Sequence, residues 1–187
     1  MKDIDKNKKS LDLQNKIAII LVIIYVVLLL PVLYIGRYDY HCADDFGFSA
    51  ASHIAWEDTH SLLAVFKAAG ETVADRWHTW QGTFTTMYLM AIEPGIFGDV
   101  FYHFVPWLMI GAMTASTMFM LYELLVNLCG CRKSTWISMS MLYLICALEC
   151  MLDPLQAFFW YNGATHYMIP HSLAMVLIEI LIKARLT

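Results

Sequence analysis

The chain has 187 residues, 59% of them hydrophobic and 14% aromatic, with a mean hydropathy of +0.57. An apolar share this far above that of ordinary soluble domains marks a membrane protein, which the long apolar runs taken below make all-α and polytopic. The formal charge of −4 and the pI near 5.9 leave no basic stripe, which excludes nucleic acid as a partner.

A basic tail of residues 1–16 precedes a nearly uncharged run of 19 residues, Ile17 to Ile35. That is close to the ~20 residues needed to cross the hydrocarbon core as a helix. The run is too long for a signal-peptide core and no small-x-small cleavage site follows it, so it reads as an uncleaved first span. Further apolar runs cover Val100 to Cys129, Thr135 to Leu152 and His171 to Ile182, with Glu123, Glu149 and Glu179 near their ends. Four spans are therefore expected, in one transmembrane domain over 17–187.

Nine of the twelve basic residues precede the first run, separate the second from the third, or follow the fourth: Lys2, Lys6, Lys8, Lys9, Lys16, Arg132, Lys133, Lys183 and Arg185. By the positive-inside rule the N-terminus is cytoplasmic and the loops 36–99 and 153–170 are external. All seven histidines fall in or beside those two loops. Of the five cysteines, Cys129-Gly-Cys131 is too isolated for a zinc site, and all five read as free thiols.

The first loop is about 65 residues long and rich in Trp, Phe, Tyr and Leu, so it is ordered. Leu62, Phe66, Ala69, Val73, Trp77 and Trp80 are spaced 4, 3, 4, 4 and 3 apart, the period of one helix face. Such a helix either lies in the membrane interface or packs within an external layer. Gly82 interrupts the pattern, and Glu93-Pro94-Gly95 ends a second short helix, Phe84 to Ile92.

At the loop's start, "YHCADDFGFS" carries the adjacent carboxylates Asp44 and Asp45 among Tyr38, Tyr40, Phe46 and Phe48. Either the acids are solvated at the interface, or aromatic surroundings partly bury them and make one a base by desolvation and like-charge repulsion. His41, Cys42, Asp44 and Asp45 are also possible ligands for a hard divalent cation, at a spacing that fits no standard metal motif. His53, Glu57 and His60 share one helix face and read as a surface patch. In the second loop Asn162-Gly163 signals a turn, within a cluster of Trp160, Tyr161, His166 and Tyr167. That cluster is either an interfacial aromatic belt or a carbohydrate surface.

The combination of a first span, "ADDF" just beyond it, a long loop with surface helices, "TWQGTF" and "FFWYNGATHYMIP" resembles the GT-C superfamily of polytopic glycosyltransferases. It is closest to an uncharacterised bacterial multi-pass membrane family related to that superfamily. The matching residues are Asp44-Asp45, Trp80-Gln81-Gly82, and Trp160, Gly163, Ala164, Tyr167 and Pro170. The resemblance implies transfer of a sugar from a polyprenyl-phosphate donor to a cell-envelope glycan or other acceptor at the outer membrane face. It makes Asp44 or Asp45 the catalytic carboxylate, and Arg76, Trp80, Gln81, Trp160, Asn162, His166 and Tyr167 the candidates for substrate contact. Some superfamily members use a divalent cation such as Mg²⁺ or Mn²⁺ and others none, so the resemblance leaves the cofactor open. Superfamily enzymes carry about twice as many spans, so the chain is expected to be the N-terminal part of a larger domain or a short form. The alternatives are a non-catalytic membrane protein, such as an assembly partner or truncated relic, and a metalloprotein using the loop histidines.

Overall fold

The long uncharged run after the basic tail leaves no way to satisfy backbone groups in lipid except intrahelical bonds, and helix α1 (Lys2–Ile35) carries it unbroken. Pro31 removes one intrahelical bond, to the Val27 carbonyl, and the helix runs only four residues beyond it. The computed structural model describes the backbone of residues 2–186 and the side chains of 12–185. Every element among the described residues is helical: α1, α2 (Asp45–Thr59), α3 (Leu62–Thr79), α4 (Phe84–Ala91), α5 (Asp99–Tyr102), α6 (Val105–Tyr122), α7 (Lys133–Glu149) and α8 (Tyr161–Leu186). Short 3₁₀ turns occupy Gly36–Tyr38 and Pro94–Phe97, and π-helical turns occupy Glu123–Leu128 and Leu155–Phe159.

Among the described residues three stretches are long and apolar enough to cross a membrane: Asp12–Tyr38, Asp99–Leu128 and Tyr161–Arg185. The expected third span coincides with α7, whose 17 residues reach only about 26 Å at 1.5 Å per residue, short of a ~30 Å core. The expected fourth run begins ten residues inside α8, so Tyr161 to Pro170 are helical rather than loop. Asn162-Gly163 does not turn the chain, because Gly163 is needed for close packing. A Cβ there would lie 2.8 Å from the Trp160 ring and 2.9 Å from the Gln156 carbonyl oxygen. Gly→Ala normally stabilises a helix by up to ~1 kcal/mol. Here Gly163→Ala is expected to lower stability by about 1–3 kcal/mol instead, read as the thermal unfolding midpoint in detergent, because backbone at Gln156 cannot move aside as a side-chain end would.

The chain forms two compact units. One gathers α1 up to Val32, Gly111–Leu152 and α8 from His171. In it Tyr25 and Thr114 share a hydrogen bond of 2.6 Å, and Trp136 Nε1 donates to the Met118 carbonyl at 2.9 Å. Glu123 and Glu179, acids near the ends of apolar runs, meet the Lys183 ammonium at 3.4 and 2.5 Å, so neither carboxylate stands without a counter-charge.

The other unit, Leu33–Ile110 with Asp153–Pro170, holds six of the seven histidines and five of the six tryptophans. Helices α2, α3 and α4 pack on one another around Phe48, Met87 and Met90, with Val73 against them. His60 closes α2 in the left-handed conformation (φ 48°), its N–H bonded to the Trp56 carbonyl at 2.8 Å. In α3 the periodicity expected over Leu62 to Trp80 forms a helix, but its buried line is Val65, Ala69 and Val73. Leu62, Phe66, Trp77 and Trp80 remain about half exposed. Bulk selects no inner face when the partner helices are short, so the small residues go inside and the aromatics stay at the surface.

Candidate functional site

The adjacent acids separate at the start of α2. Residues one apart on a helix point about 100° apart, so a single turn sends Asp45 inward and leaves Asp44 outside. Asp45 is fully buried and Asp44 is exposed. The Asp45 carboxylate accepts from the Cys42 N–H at 3.0 Å, the Tyr102 hydroxyl at 2.6 Å and the Asn162 N–H at 3.3 Å. The Tyr102 oxygen in turn accepts the Tyr161 N–H at 3.0 Å. Tyr161 and Asn162 open α8, and their N–H groups have no intrahelical acceptor. Asp45 and Tyr102 therefore cap α8 from outside and tie it to α2 and α5. Burial raises the Asp45 pKa; the bonds from Tyr102, Cys42 and Asn162 pull it back.

Glu93, in the turn after α4, is a second fully buried acid. It accepts the Gly95 N–H at 3.2 Å and lies 2.7 Å from His41 Nδ1. Burial, and then the charge of Asp45, push it from its ordinary 4.5 to about 7. Asp39 is also lifted to about 7 by burial, and Cys42 is raised by burial and by the charges of Asp45 and Asp39. A carboxylate with a raised folded pKa holds a proton that the unfolded chain has released. The Glu93 contribution to stability is thus full below about 4.5 and falls as pH rises to about 7. Unfolding followed across that interval should lose stability with rising pH, and Glu93→Gln should flatten the slope in part, the remainder belonging to Asp39 and Asp45. An unchanged slope in Glu93→Gln would remove Glu93 as its source.

Asp44 lines a cavity of about 380 Å³ together with Gly47, Phe48, Arg76, Thr79 and Trp80. Phe48 forms its floor: Trp80 stacks on that ring at 5.4 Å, and the Arg76 guanidinium lies 5.2 Å above it. Arg76 Nε is buried without a hydrogen-bond partner. A carboxylate and a guanidinium thus flank an aromatic face, an arrangement that can take a polar ring with an anionic substituent.

Asp44, Arg76 and Trp80 come together as sequence-selected residues of one cavity. Gln81 is half-buried beside it, with its N–H on the Arg76 carbonyl at 3.1 Å. Trp160, Asn162 and His166 belong instead to the start of α8. There Asn162 is buried with neither amide atom partnered, Trp160 Nε1 is likewise buried and unpartnered, and His166 Nδ1 lies 3.0 Å from the Asn162 carbonyl. Tyr167 is 60% exposed and lines neither cavity described here. A cation shared by Asp44 and Asp45 does not fit: the two side chains face different ways, and the Asp45 oxygens are already occupied by N–H and O–H donors. Among the described residues no three His, Cys, Asp or Glu side chains are grouped to hold a metal ion.

Three residues central to this unit escaped sequence reasoning as site residues: Glu93, Tyr102 and Asp39. Glu93 sits in a Pro-Gly turn that reads as a helix stop, and Tyr102 sits at the edge of an apolar run. The available signal was an acid between two apolar segments, which has to be solvated or partnered.

Comparison of the chain with protein-family models, with curated protein sequences and with solved structures finds no match.

Proposed function

We propose that this chain is a membrane glycosyltransferase, or the N-terminal part of one, that moves a sugar from a polyprenyl-phosphate donor to a cell-envelope acceptor at the outer face of the membrane. The observation that carries the reading is the cavity in which Asp44, Arg76 and Trp80 surround the Phe48 ring. In it the aromatic face stacks on the C–H side of a sugar, and the Arg76 guanidinium pairs with the lipid phosphate. Asp44 accepts the proton of the attacking acceptor hydroxyl as the new C–O bond forms at the sugar and the bond to the phosphate breaks, the phosphate leaving as the anion. Asp45 is the positioning residue, because it anchors the start of α2 and is fully buried with both oxygens accepting hydrogen bonds from the protein itself.

Position along the chain agrees with a lipid-borne donor. Asp44 lies six residues beyond the apolar stretch Asp12–Tyr38, a span of at most about 20 Å of extended chain. The half-exposed aromatics of α3 suit the headgroup region. With the basic tail of residues 1–16 inside, the loop 36–99 that follows the first span faces outward by the positive-inside rule.

The test is transfer of labelled sugar from short-chain polyprenyl-phosphate donors to endogenous envelope acceptors in right-side-out and inside-out membrane vesicles containing the chain. Transfer in right-side-out vesicles supports the reading. Absence of transfer with every donor, or transfer confined to inside-out vesicles, overturns it.

A further inference from the structure

A second cavity, of about 300 Å³, shares no lining residue with the first and plays no part in the transfer reading. Its polar wall is His41, Ser49, His53, Glu93 and Asp99, with Phe46 and Ile54 on the apolar side; no lysine or arginine lines it, and the Ser49 hydroxyl is spent on the Asp45 carbonyl at 2.7 Å.

Hydrogen bonding decides what such a wall accepts. His53 Nδ1 lies 3.1 Å from the Ile96 carbonyl oxygen. A carbonyl only accepts, so Nδ1 carries the hydrogen and the neutral ring is left with a bare Nε2. His41 Nδ1 is held 2.7 Å from Glu93, and its Nε2 lies 3.6 Å from an Asp99 oxygen. Both atoms of the closer pair are buried and are not aligned as a hydrogen bond, yet with Glu93 ionised so short an approach still requires the hydrogen on Nδ1, and the His41 Nε2 and Asp99 lone pairs then face each other across that gap. Two bare ring nitrogens and two carboxylates therefore surround one space into which no side chain donates. An anion is repelled there, and a cation with several N–H donors satisfies each group. Glu93, raised first by burial and then by the charge of Asp45, gains a nearby positive charge.

Size and geometry separate the kinds of cation. A bare metal ion needs ligand atoms converging at about 2.0–2.6 Å, and these side chains are not grouped that way. An ammonium needs only acceptors at about 2.7–3.2 Å and brings a carbon body with it. That body has a place: the Phe46 ring stacks with His41 at 5.6 Å and presents an apolar face to the cavity. A volume of about 300 Å³ sits at the small end of small-molecule sites.

We propose that this cavity binds a small primary amine of the amino-sugar type, its ammonium held by Asp99 and by Nε2 of His41 and His53, with Glu93 fixing the His41 ring. The site is independent of the glycosyl-transfer reading and stands or falls without it.

Glucosamine, N-acetylglucosamine, glucose and Zn²⁺ are titrated separately into the detergent-solubilised full chain and followed by calorimetry. Glucosamine is expected to saturate one site, and removal of its charge in N-acetylglucosamine or of its amine in glucose to weaken binding at least tenfold. Asp99→Asn and His53→Gln remove exposed acceptors rather than core contacts and are each expected to weaken glucosamine at least tenfold with the unfolding midpoint retained. Equal binding of glucosamine and N-acetylglucosamine, absence of glucosamine binding, affinity unchanged in both variants, or saturable Zn²⁺ binding without glucosamine binding would each overturn the proposal.

Discussion

Asp44→Asn is expected to reduce sugar transfer by ~10²–10⁴-fold while the protein inserts and unfolds as before. Both halves of that outcome come from the same placement. Asp44 makes no side-chain cap bond at the start of α2 and stands exposed at the cavity lip, so swapping one carboxylate oxygen for an amide removes a proton acceptor and little else. Exposed substitutions of this kind change stability by about 0.5 kcal/mol or less. The amide keeps the size and hydrogen-bonding capacity of the side chain, so donor binding should persist and the loss should fall on kcat. Initial rates at saturating donor, with the unfolding midpoint as control, read the two effects separately. Wild-type rates in Asp44→Asn would end the assignment of this carboxylate as the base. Arg76→Gln gives the complementary pattern through the phosphate: a raised KM for the lipid donor.

Asp45→Ala is expected to be the most destructive single change in the unit, costing about 3 kcal/mol or more. It removes the acceptor from the Tyr102 hydroxyl and from the N–H groups of Cys42 and Asn162, and the fully buried site gives water little chance to replace it. Each donor left unsatisfied costs about 1–3 kcal/mol. Removing a buried charge returns some desolvation energy, which is why the raised pKa of Asp45 matters to the balance. Three stranded donors outweigh that return. Tyr102→Phe strands only the Tyr161 N–H and one Asp45 lone pair, so it should cost less, and the double variant should fall short of the sum of the two. Thermal unfolding in detergent reads all three, and strict additivity would show that the Asp45–Tyr102 bond is not the link between α2, α5 and α8.

The same residue shows why adjacent acids in a sequence are a weak functional signal by themselves. Two like charges side by side suggest a shared site, with one pKa raised by the other. In the fold they part company: one caps a distant helix and the other faces a cavity. The raised carboxylates that accompany Asp45 are Asp39 and Glu93, and Glu93 is nearly fifty residues away along the chain. The aromatic neighbours were a sounder guide, since Phe48 becomes the floor on which Trp80 and Arg76 lie.

What the sequence determined by itself was whatever depends on neighbours within a few turns. The apolar run after the basic tail has to be a helix long enough for a membrane, the spacing in α3 has to be helical, and Glu93-Pro94-Gly95 has to end α4. Each follows from local backbone chemistry and side-chain period. Only the tertiary structure decided which acid is buried, that Glu93 holds His41, and that α8 starts at Tyr161 rather than at the apolar run ten residues later. Those outcomes depend on partners 52, 57 and 117 residues apart in the chain, and on a glycine whose missing Cβ matters only because a tryptophan ring and a carbonyl press against it. Periodicity reports which way a helix face points, but the group waiting opposite that face is set by packing.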